Sequence, residues 1–546
     1  MLNERQVTGR RKFLTGAVLG VGGTALLDTG LLTGVAGAAE STAAGSGYPA
    51  SVISPADQQY PDLVRALNAR FVAHPERVAV VDAPSQIAPL VNAAVSAGKR
   101  ITVRGGGHCY EDFVYSDDTQ VILDLSSMNR VCYDSQLNAI AIESGATLLD
   151  VYEKLYKTWG VVIPGGVCYS VGVGGHVAGG GWGWLVRRNG LVVDHLYAVE
   201  VVTVNAAGRA QTVVATREPG DPNRELWWAH TGGGGGNFGI VTRYFFRSPG
   251  ATGTDPRKLL PKPPAKTNFT VAGWNLNNLS EQQFSRLVRN YGQWHIDNKS
   301  PSSPARDLTG ALSVNHKSSG SVTALAQLDV SVPNAQAIMD SFIAYLADGV
   351  APPDFVAPQT LPWLQFVELT GTTNSVANDP TSRAKYKAAF MKGLFTPEQT
   401  AAMYKHLTRS DISNPNINII FQPYGGQVSA VPQANTAIQH RDAAYQVQWS
   451  SVWNGAAGDA ANIAWAREVY AEVYAATGGV PVPNDVSDGS YVNHCDADLS
   501  DPAFNKSASP WHELYYKGAY PRLQAVKKKY DPRNVFRHRQ SVELPS

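Results

Sequence analysis

The chain has 546 residues, with 46 Lys+Arg against 45 Asp+Glu, a formal net charge of +1, and 51 glycines and 12 tryptophans. That length holds two domains with an ample core. The balanced charge leaves no electrostatic footprint for nucleic acid, so a small molecule is the expected partner. The 4 cysteines (Cys109, Cys132, Cys168, Cys495) show no CxxC spacing, so neither a disulfide framework nor a zinc ribbon is indicated. A single disulfide among Cys109, Cys132 and Cys495 stays open.

In chain order, residues 1–38 read as a twin-arginine export signal. Arg10-Arg11-Lys12-Phe13-Leu14 opens an apolar Gly/Ala-rich run that ends at Ala36-Gly37-Ala38. Asp28 and the glycines interrupt the run short of the ~20 apolar residues of a membrane span. The expectation is a secreted protein with no membrane segment after cleavage. Residues 39–60, rich in Ala, Ser and Gly, are expected to be poorly ordered.

A β-α-β pattern follows, with strands at Arg77–Val81 and Lys99–Arg104 around a helix at Pro84–Ala97. Further strands are expected at 121–125, 139–143, 198–204, 212–215 and 240–246, with helices at 148–155 and 225–228. Ser248–Lys266 contains 5 prolines and reads as a domain boundary. Beyond it, strands at 269–274, 308–315, 324–330, 417–423 and 445–453 alternate with helices at 281–295, 334–346 and 461–475. Another helix begins at the capping sequence Thr396-Pro397-Glu398-Gln399. The tail carries Tyr491-Val492-Asn493 and a short basic helix stopped by Pro532. The fold class is α+β. The expected divisions are 39–250 for cofactor binding, 251–490 for substrate binding on an antiparallel sheet covered by helices, and 491–546 returning to the first part.

Three glycine clusters punctuate the first half: Arg104-Gly105-Gly106-Gly107-His108, the run Gly165–Gly183, and Gly232–Gly236. Glycine at such density lets backbone lie directly against a flat or charged ligand. Together the clusters suggest one large, planar, polyphosphorylated cofactor. A dinucleotide fingerprint fits poorly, because no strand–GxGxxG–helix unit with a following acidic residue is present. Zinc held by His108, Cys109, Cys168 and His176 matches no ligand spacing, so no metal is expected. His108 and Cys168 are instead the side chains able to attack an electrophilic isoalloxazine ring.

These motifs, with Gly236-Asn237-Phe238-Gly239-Ile240, Tyr491-Val492-Asn493 and Tyr520–Pro532, resemble the berberine bridge enzyme-like flavin oxidases, of the vanillyl-alcohol oxidase/p-cresol methylhydroxylase fold. The resemblance covers nearly all of the chain after the leader. It implies a two-subdomain FAD-binding domain and FAD attached twice, through His108 and Cys168. By position it places Arg104, Gly105, Gly106, Gly107, Gly166, Val167, Tyr169 and Ser170 along the flavin. Gly172, Gly174, Gly175 and His176 fall near the ring or pyrophosphate, Gly236 and Ile240 on the adenine side, and Asn493 at the returning tail.

The same resemblance points to Tyr491 as base for a substrate hydroxyl, with Tyr424 as its partner, while hydride leaves the adjacent carbon. No acidic residue stands where the plant alkaloid enzyme keeps its glutamate base, so carbon–carbon bond formation is not expected. The expected reaction oxidises a secondary alcohol of a secondary metabolite, a polyketide or its sugar, with dioxygen as acceptor and hydrogen peroxide as product. Alternatives are oxidation of a mono- or oligosaccharide at C1, and a dehydrogenase with another acceptor. Trp274, Trp294, Trp363, Trp449 and Trp453 are candidates for stacking on either substrate.

Overall fold

The computed structural model describes residues 49–372 and 378–546, so the leader and residues 39–48 lie outside the described residues. β1 (Ser51–Ile53), β2 (Arg77–Val80), β3 (Ile101–Arg104) and β4 (Val121–Asp124) form a sheet in the order β1-β2-β4-β3. β2 and β3 both run parallel to β4. The helix Ile87–Ser96 joins them and buries Ile87, Val91 and Ala94, one stripe at helical spacing. β1 corrects the expectation of poor order up to residue 60. Ser51 pairs with Val80, because the free edge of β2 offers this segment partners for its backbone groups.

β5 (Val131–Asp134), β6 (Ala139–Glu143), β7 (Leu196–Val204), β8 (Ala210–Thr216) and β9 (Ile240–Phe246) form a second sheet, in the order β5-β6-β9-β7-β8. All its pairings are antiparallel. β7 is buried along its whole length. The helix Leu148–Trp159 starts at Thr147, whose side chain accepts from the Asp150 N–H, and ends at the left-handed Gly160.

The third sheet has seven strands: β10 (Lys266–Asn275), β11 (Thr309–Asn315), β12 (Ser321–Asp329), β13 (Phe355–Pro362), β14 (Ser382–Met391), β15 (Ile417–Pro423) and β16 (Tyr445–Asn454). Their order is β13-β10-β12-β11-β15-β16-β14, and every pairing is antiparallel. Strand period decides its two faces. Ile417, Ile419 and Phe421 are buried, alternating with the half-buried Asn418, Ile420 and Gln422. The first set packs toward helices, with Phe421 5.6 Å from the ring of Tyr291 in the helix Glu281–Asp297. Trp449 of β16 meets Tyr470 of the helix Asp459–Val473 edge-on at 5.2 Å on the same side. The capping boxes at Ser280 and Thr396 form, the latter starting the helix Pro397–Thr408.

β5, β13 and β14 were not expected from the sequence. β13 holds Pro358 and Pro362, which an edge strand tolerates. β14 points two lysines inward, so its pattern lacks the apolar alternation of a half-buried strand. Among the described residues no helix is long and apolar enough to cross a membrane.

Buried histidines contribute to the acid response of the fold, two of them in the core. Burial holds His230 at about 4, against a contrary pull from the Leu226 carbonyl that bonds its Nδ1 at 2.7 Å. Burial, then the charge of Arg187, hold His295 well below its ordinary value. Both therefore stay neutral in the folded state while the unfolded chain protonates near pH ~6.5. Their contribution is fully present above that pH and is lost as pH falls toward the folded values. The midpoint of urea unfolding should decline steadily from pH 7 to pH 5. A flat midpoint over that window would contradict the assignment.

Candidate active site

Two glycines bring the first two clusters together. A Cβ on Gly106 would stand 2.3 Å from the Gly172 nitrogen, and one on Gly172 2.2 Å from the Gly106 nitrogen. Only bare backbone permits that approach. The loop after β3 and the loop before the helix Val173–Ala178 thus run back to back, and His108 and Cys168 line one cavity. Gly183 is held the same way, since a Cβ there would meet the Gly165 carbonyl oxygen.

The cavity has a volume of about 690 Å³, within the roughly 300–1,000 Å³ of ligand pockets. Its wall includes Arg104, Gly105, Gly106, Gly107, His108, Gly166, Val167, Cys168, Gly172, Gly174, Gly175, His176, Gly236, Ile240, Tyr491 and Asn493. Three expected site residues do not line it. Tyr169 lies over Gly371, where an added Cβ would stand 2.2 Å from its ring. Ser170 supports His108 from behind. Tyr424 is 1% exposed, and its hydroxyl has no hydrogen-bond partner among the described residues. It shares a neighbour with Tyr491, since Phe390 stands 5.0 Å from the ring of Tyr424 and 5.5 Å from that of Tyr491.

Hydrogen-bond direction fixes the His108 ring. Asn378 Nδ2 donates to the Gly371 carbonyl at 3.4 Å, leaving its Oδ1 to accept from Ser170 Oγ at 2.6 Å. The hydroxyl proton being used there, Ser170 Oγ accepts from His108 Nε2 at 2.8 Å. Burial first, then the charge of Arg104, hold His108 at about 4. The ring is neutral at pH 7 with its proton on Nε2, which leaves Nδ1 as the unprotonated nitrogen. Arg104 itself is anchored by the fully buried Asp124, with contacts of 2.9 and 3.1 Å. His176 accepts from the Gly166 N–H at 3.1 Å, and burial keeps it at about 4.

Tyr491 is 3% exposed, and its oxygen receives two N–H groups: Asn493 Nδ2 at 3.0 Å and Gly181 N at 3.2 Å. Asn493 also donates to the His176 carbonyl at 2.9 Å, so the tail turn is pinned to the glycine-rich run. Burial pushes the Tyr491 phenol up to about 12, while Asn493 and the backbone N–H groups of Gly181 and Trp182 pull it down.

The opposite wall is the open face of the seven-stranded sheet: Asn418, Ile420 and Gln422 of β15, Gln448 and Ser450 of β16, and Tyr386 of β14. Asn418 Oδ1 and Gln422 Oε1 are buried without a partner among the described residues. These amides were missed in the sequence, although the period-2 alternation in Ile417–Pro423 signals them. The tryptophans are corrected. Trp274, Trp294, Trp363, Trp449 and Trp453 are all below 9% exposed and do not line the cavity. On β16, Trp449 alternates with Gln448 and Ser450, which turns its ring to the helix side.

A buried charge cluster closes the site. Lys385 Nζ stands 2.7 Å from both Glu111 and Asp496, and Lys387 Nζ 2.7 Å from Asp496 and 2.9 Å from Asp498. Burial opposes the Lys385 charge, but Asp496 and Glu111 outweigh it and hold the ammonium above its ordinary value. Tyr110, between His108 and Glu111, stacks on Tyr386 at 3.9 Å.

The residues present fit FAD. Gly175 and Gly235 leave open space on the cavity wall, Gly105 to Gly107, Gly172 and Gly174 offer bare backbone, and two nucleophilic side chains face the same volume. The fold and this cavity define an FAD-dependent oxidoreductase. Family comparison agrees, with the FAD binding domain matching residues 75–213 and the berberine and berberine-like domain matching residues 490–543. Aclacinomycin-N/aclacinomycin-A oxidase of Streptomyces galilaeus is 45% identical over 543 residues, 98% of each chain. Hexose oxidase of Chondrus crispus is 29% identical over 527 residues, 90% of this chain and 94% of that one. The crystal structure of a glycopeptide hexose oxidase complexed with teicoplanin superposes with a TM-score of 0.86 at 44% identity, over 91% of this chain and 99% of that one. The chain belongs to the berberine bridge enzyme-like family of FAD-dependent oxidases.

Replacing Lys385 with Met would strand the Glu111 carboxylate in the interior. The expected loss is ~3–5 kcal/mol of unfolding free energy, the range for breaking a buried ion pair, measured by urea denaturation. Adding Glu111→Gln to that variant should recover part of it. A loss below ~1 kcal/mol, the range of exposed pairs, would contradict a buried cluster.

Proposed function

We propose that this oxidase holds FAD through two covalent bonds, to His108 and Cys168, and oxidises a secondary alcohol of a large secondary metabolite, such as a sugar carried on a polyketide. The division at about residues 250 and 490 into cofactor part, substrate part and returning tail, and export by the twin-arginine route, belong to the same reading and rest on the sequence. FAD, when bound, supplies the two-electron acceptor for the alcohol carbon and passes the electrons to dioxygen. The neutral His108, with Nδ1 unprotonated, supports attachment through that atom.

The observation that carries the reading is the Tyr491 oxygen. Two N–H groups point at it and lower the cost of a phenolate there, against the burial that still holds the phenol up at about 12. Tyr491 lines the cavity, within reach of a ligand there. The minor phenolate form of Tyr491 takes the hydroxyl proton of the substrate, and Asn493 and Gly181 hold its charge. Tyr424, across Phe390, supports that corner. The unpartnered Asn418 and Gln422 oxygens of the sheet wall accept from the hydroxyls of a sugar. The 45% identity to aclacinomycin-N/aclacinomycin-A oxidase and the likeness to a glycopeptide hexose oxidase favour a large metabolite or the sugar it carries, and the likeness to the hexose oxidase of Chondrus crispus supports a second reading, free sugar oxidised at C1.

Peroxide release measured against a panel of glycosylated polyketides and free sugars separates these two. With the best substrate, Tyr491→Phe should lower kcat by ~10²–10⁴-fold, the usual worth of a positioned base. Because the deprotonated phenol is the active form, wild-type kcat/KM should rise with pH toward the Tyr491 pKa, and the variant should lose that rise. A Tyr491→Phe enzyme with near wild-type kcat would overturn the assignment.

A further inference from the structure

The chemistry above leaves unused a pair of thiols in the cavity wall. Cys109 follows His108, and Cys495 follows the Tyr491–Asn493 turn. Their sulfurs stand 3.8 Å apart across a sequence separation of 386 residues. Both line the cavity, and Cys495 is 6% exposed. We infer that Cys109 and Cys495 form a peroxide-driven redox staple that joins the His108 loop to the segment carrying Tyr491.

The neighbours of each cysteine hold it in place, so the sulfurs stay side by side. Tyr110 is stacked between Tyr386 and His494, with centroids 3.9 and 5.5 Å away. Glu111 is bound to Lys385 at 2.7 Å, and the backbone N–H of Asp496 donates to the Tyr515 hydroxyl at 3.0 Å. A disulfide requires the sulfurs to close to about 2.05 Å, a small movement from the distance present. The two thiols are not equivalent. Hydrogen bonds from the Cys495 thiol, and from the Glu111 and Phe113 backbone, hold Cys109 below the ordinary thiol value, while Cys495 is pushed up. Cys109 is also the more exposed of the two, Cys495 being buried, so peroxide entering from the cavity meets Cys109 first: Cys109 is the attacking sulfur and Cys495 the resolving one.

The Cys109 thiolate attacks one oxygen of hydrogen peroxide. The O–O bond breaks, and the departing hydroxide takes a proton to become water, leaving Cys109 as a sulfenic acid. The Cys495 sulfur then attacks the sulfenic sulfur, forming the S–S bond, and its proton leaves with the hydroxyl as a second water. In sum, two thiols lose two electrons and two protons, and one peroxide becomes two waters. An oxidase that reduces dioxygen generates this oxidant as its own product. Cys132, exposed on β5, has no thiol partner among the described residues and serves as an internal reference.

The test uses the purified holoenzyme, reduced and freed of reductant under nitrogen. Stoichiometric hydrogen peroxide is then added, followed by denaturing alkylation and non-reducing peptide mass spectrometry. The expected result is joint loss of alkylatable Cys109 and Cys495, a cross-linked peptide pair that dithiothreitol reverses, and unchanged labelling at Cys132. Cys495→Ser should leave Cys109 as a sulfenic acid trapped by dimedone. Peroxide-treated wild-type enzyme with both thiols alkylatable would overturn the staple. So would Cys109 carried to sulfinic acid without a cross-link, or cross-linked to Cys168. The wild-type measurement stands even if a variant fails to fold. Added peroxide also makes the result independent of which alcohol is the substrate.

Discussion

The site depends on one constraint: a short loop, His108 to Glu111, is clamped from both sides by segments far away in the chain. Tyr110 stacks on Tyr386, Glu111 is bound by Lys385, and Lys385 is shared with Asp496 of the tail. Buried charges are expensive unless paired and hydrogen-bonded, and here each carboxylate has a lysine or arginine at hydrogen-bond distance, Arg467 holding Asp498 at 2.8 Å. The cluster is therefore stable only when β14, the loop after β3 and the tail are all in place. Folding of the substrate sheet and assembly of the cofactor wall become one event.

That coupling explains how chemically ordinary groups acquire specific states. His108 is neutral because it is buried beside Arg104, and its tautomer is set by a relay through Ser170 to Asn378. Tyr491 is buried too, but its oxygen is met by two donors, whereas Tyr424, buried just as deeply, has none. Two tyrosines that look alike in the sequence thus differ in what they can do. The donors make a phenolate less costly at Tyr491 than at Tyr424, although burial holds both phenols above their ordinary value.

Much of this was legible in the sequence. The glycine clusters announced close backbone contact, and the pair Gly106 and Gly172 is where that contact is tightest. Strand periodicity located β7, β9, β15 and β16 closely, because their burial is one-sided or complete. It missed β14, whose inward lysines look like a solvated face until Glu111 and Asp496 arrive from distant parts of the chain. It also misjudged the tryptophans. A large aromatic in a substrate-binding region suggests stacking, but strand alternation sends Trp449 to the helix side and gives the cavity Gln448 and Ser450. Ion partners distant in sequence leave no local signal; alternation does, and Asn418 and Gln422 were readable from it.

The central claim is that His108 and Cys168 face one cofactor closely enough for both to bond it. Acid precipitation of the purified protein, followed by peptide mass spectrometry of the pellet, tests this most directly. The account predicts that flavin stays with the protein and that a single species links the His108 and Cys168 peptides through it. A yellow supernatant over a colourless pellet, or flavin joined to neither residue, would contradict it.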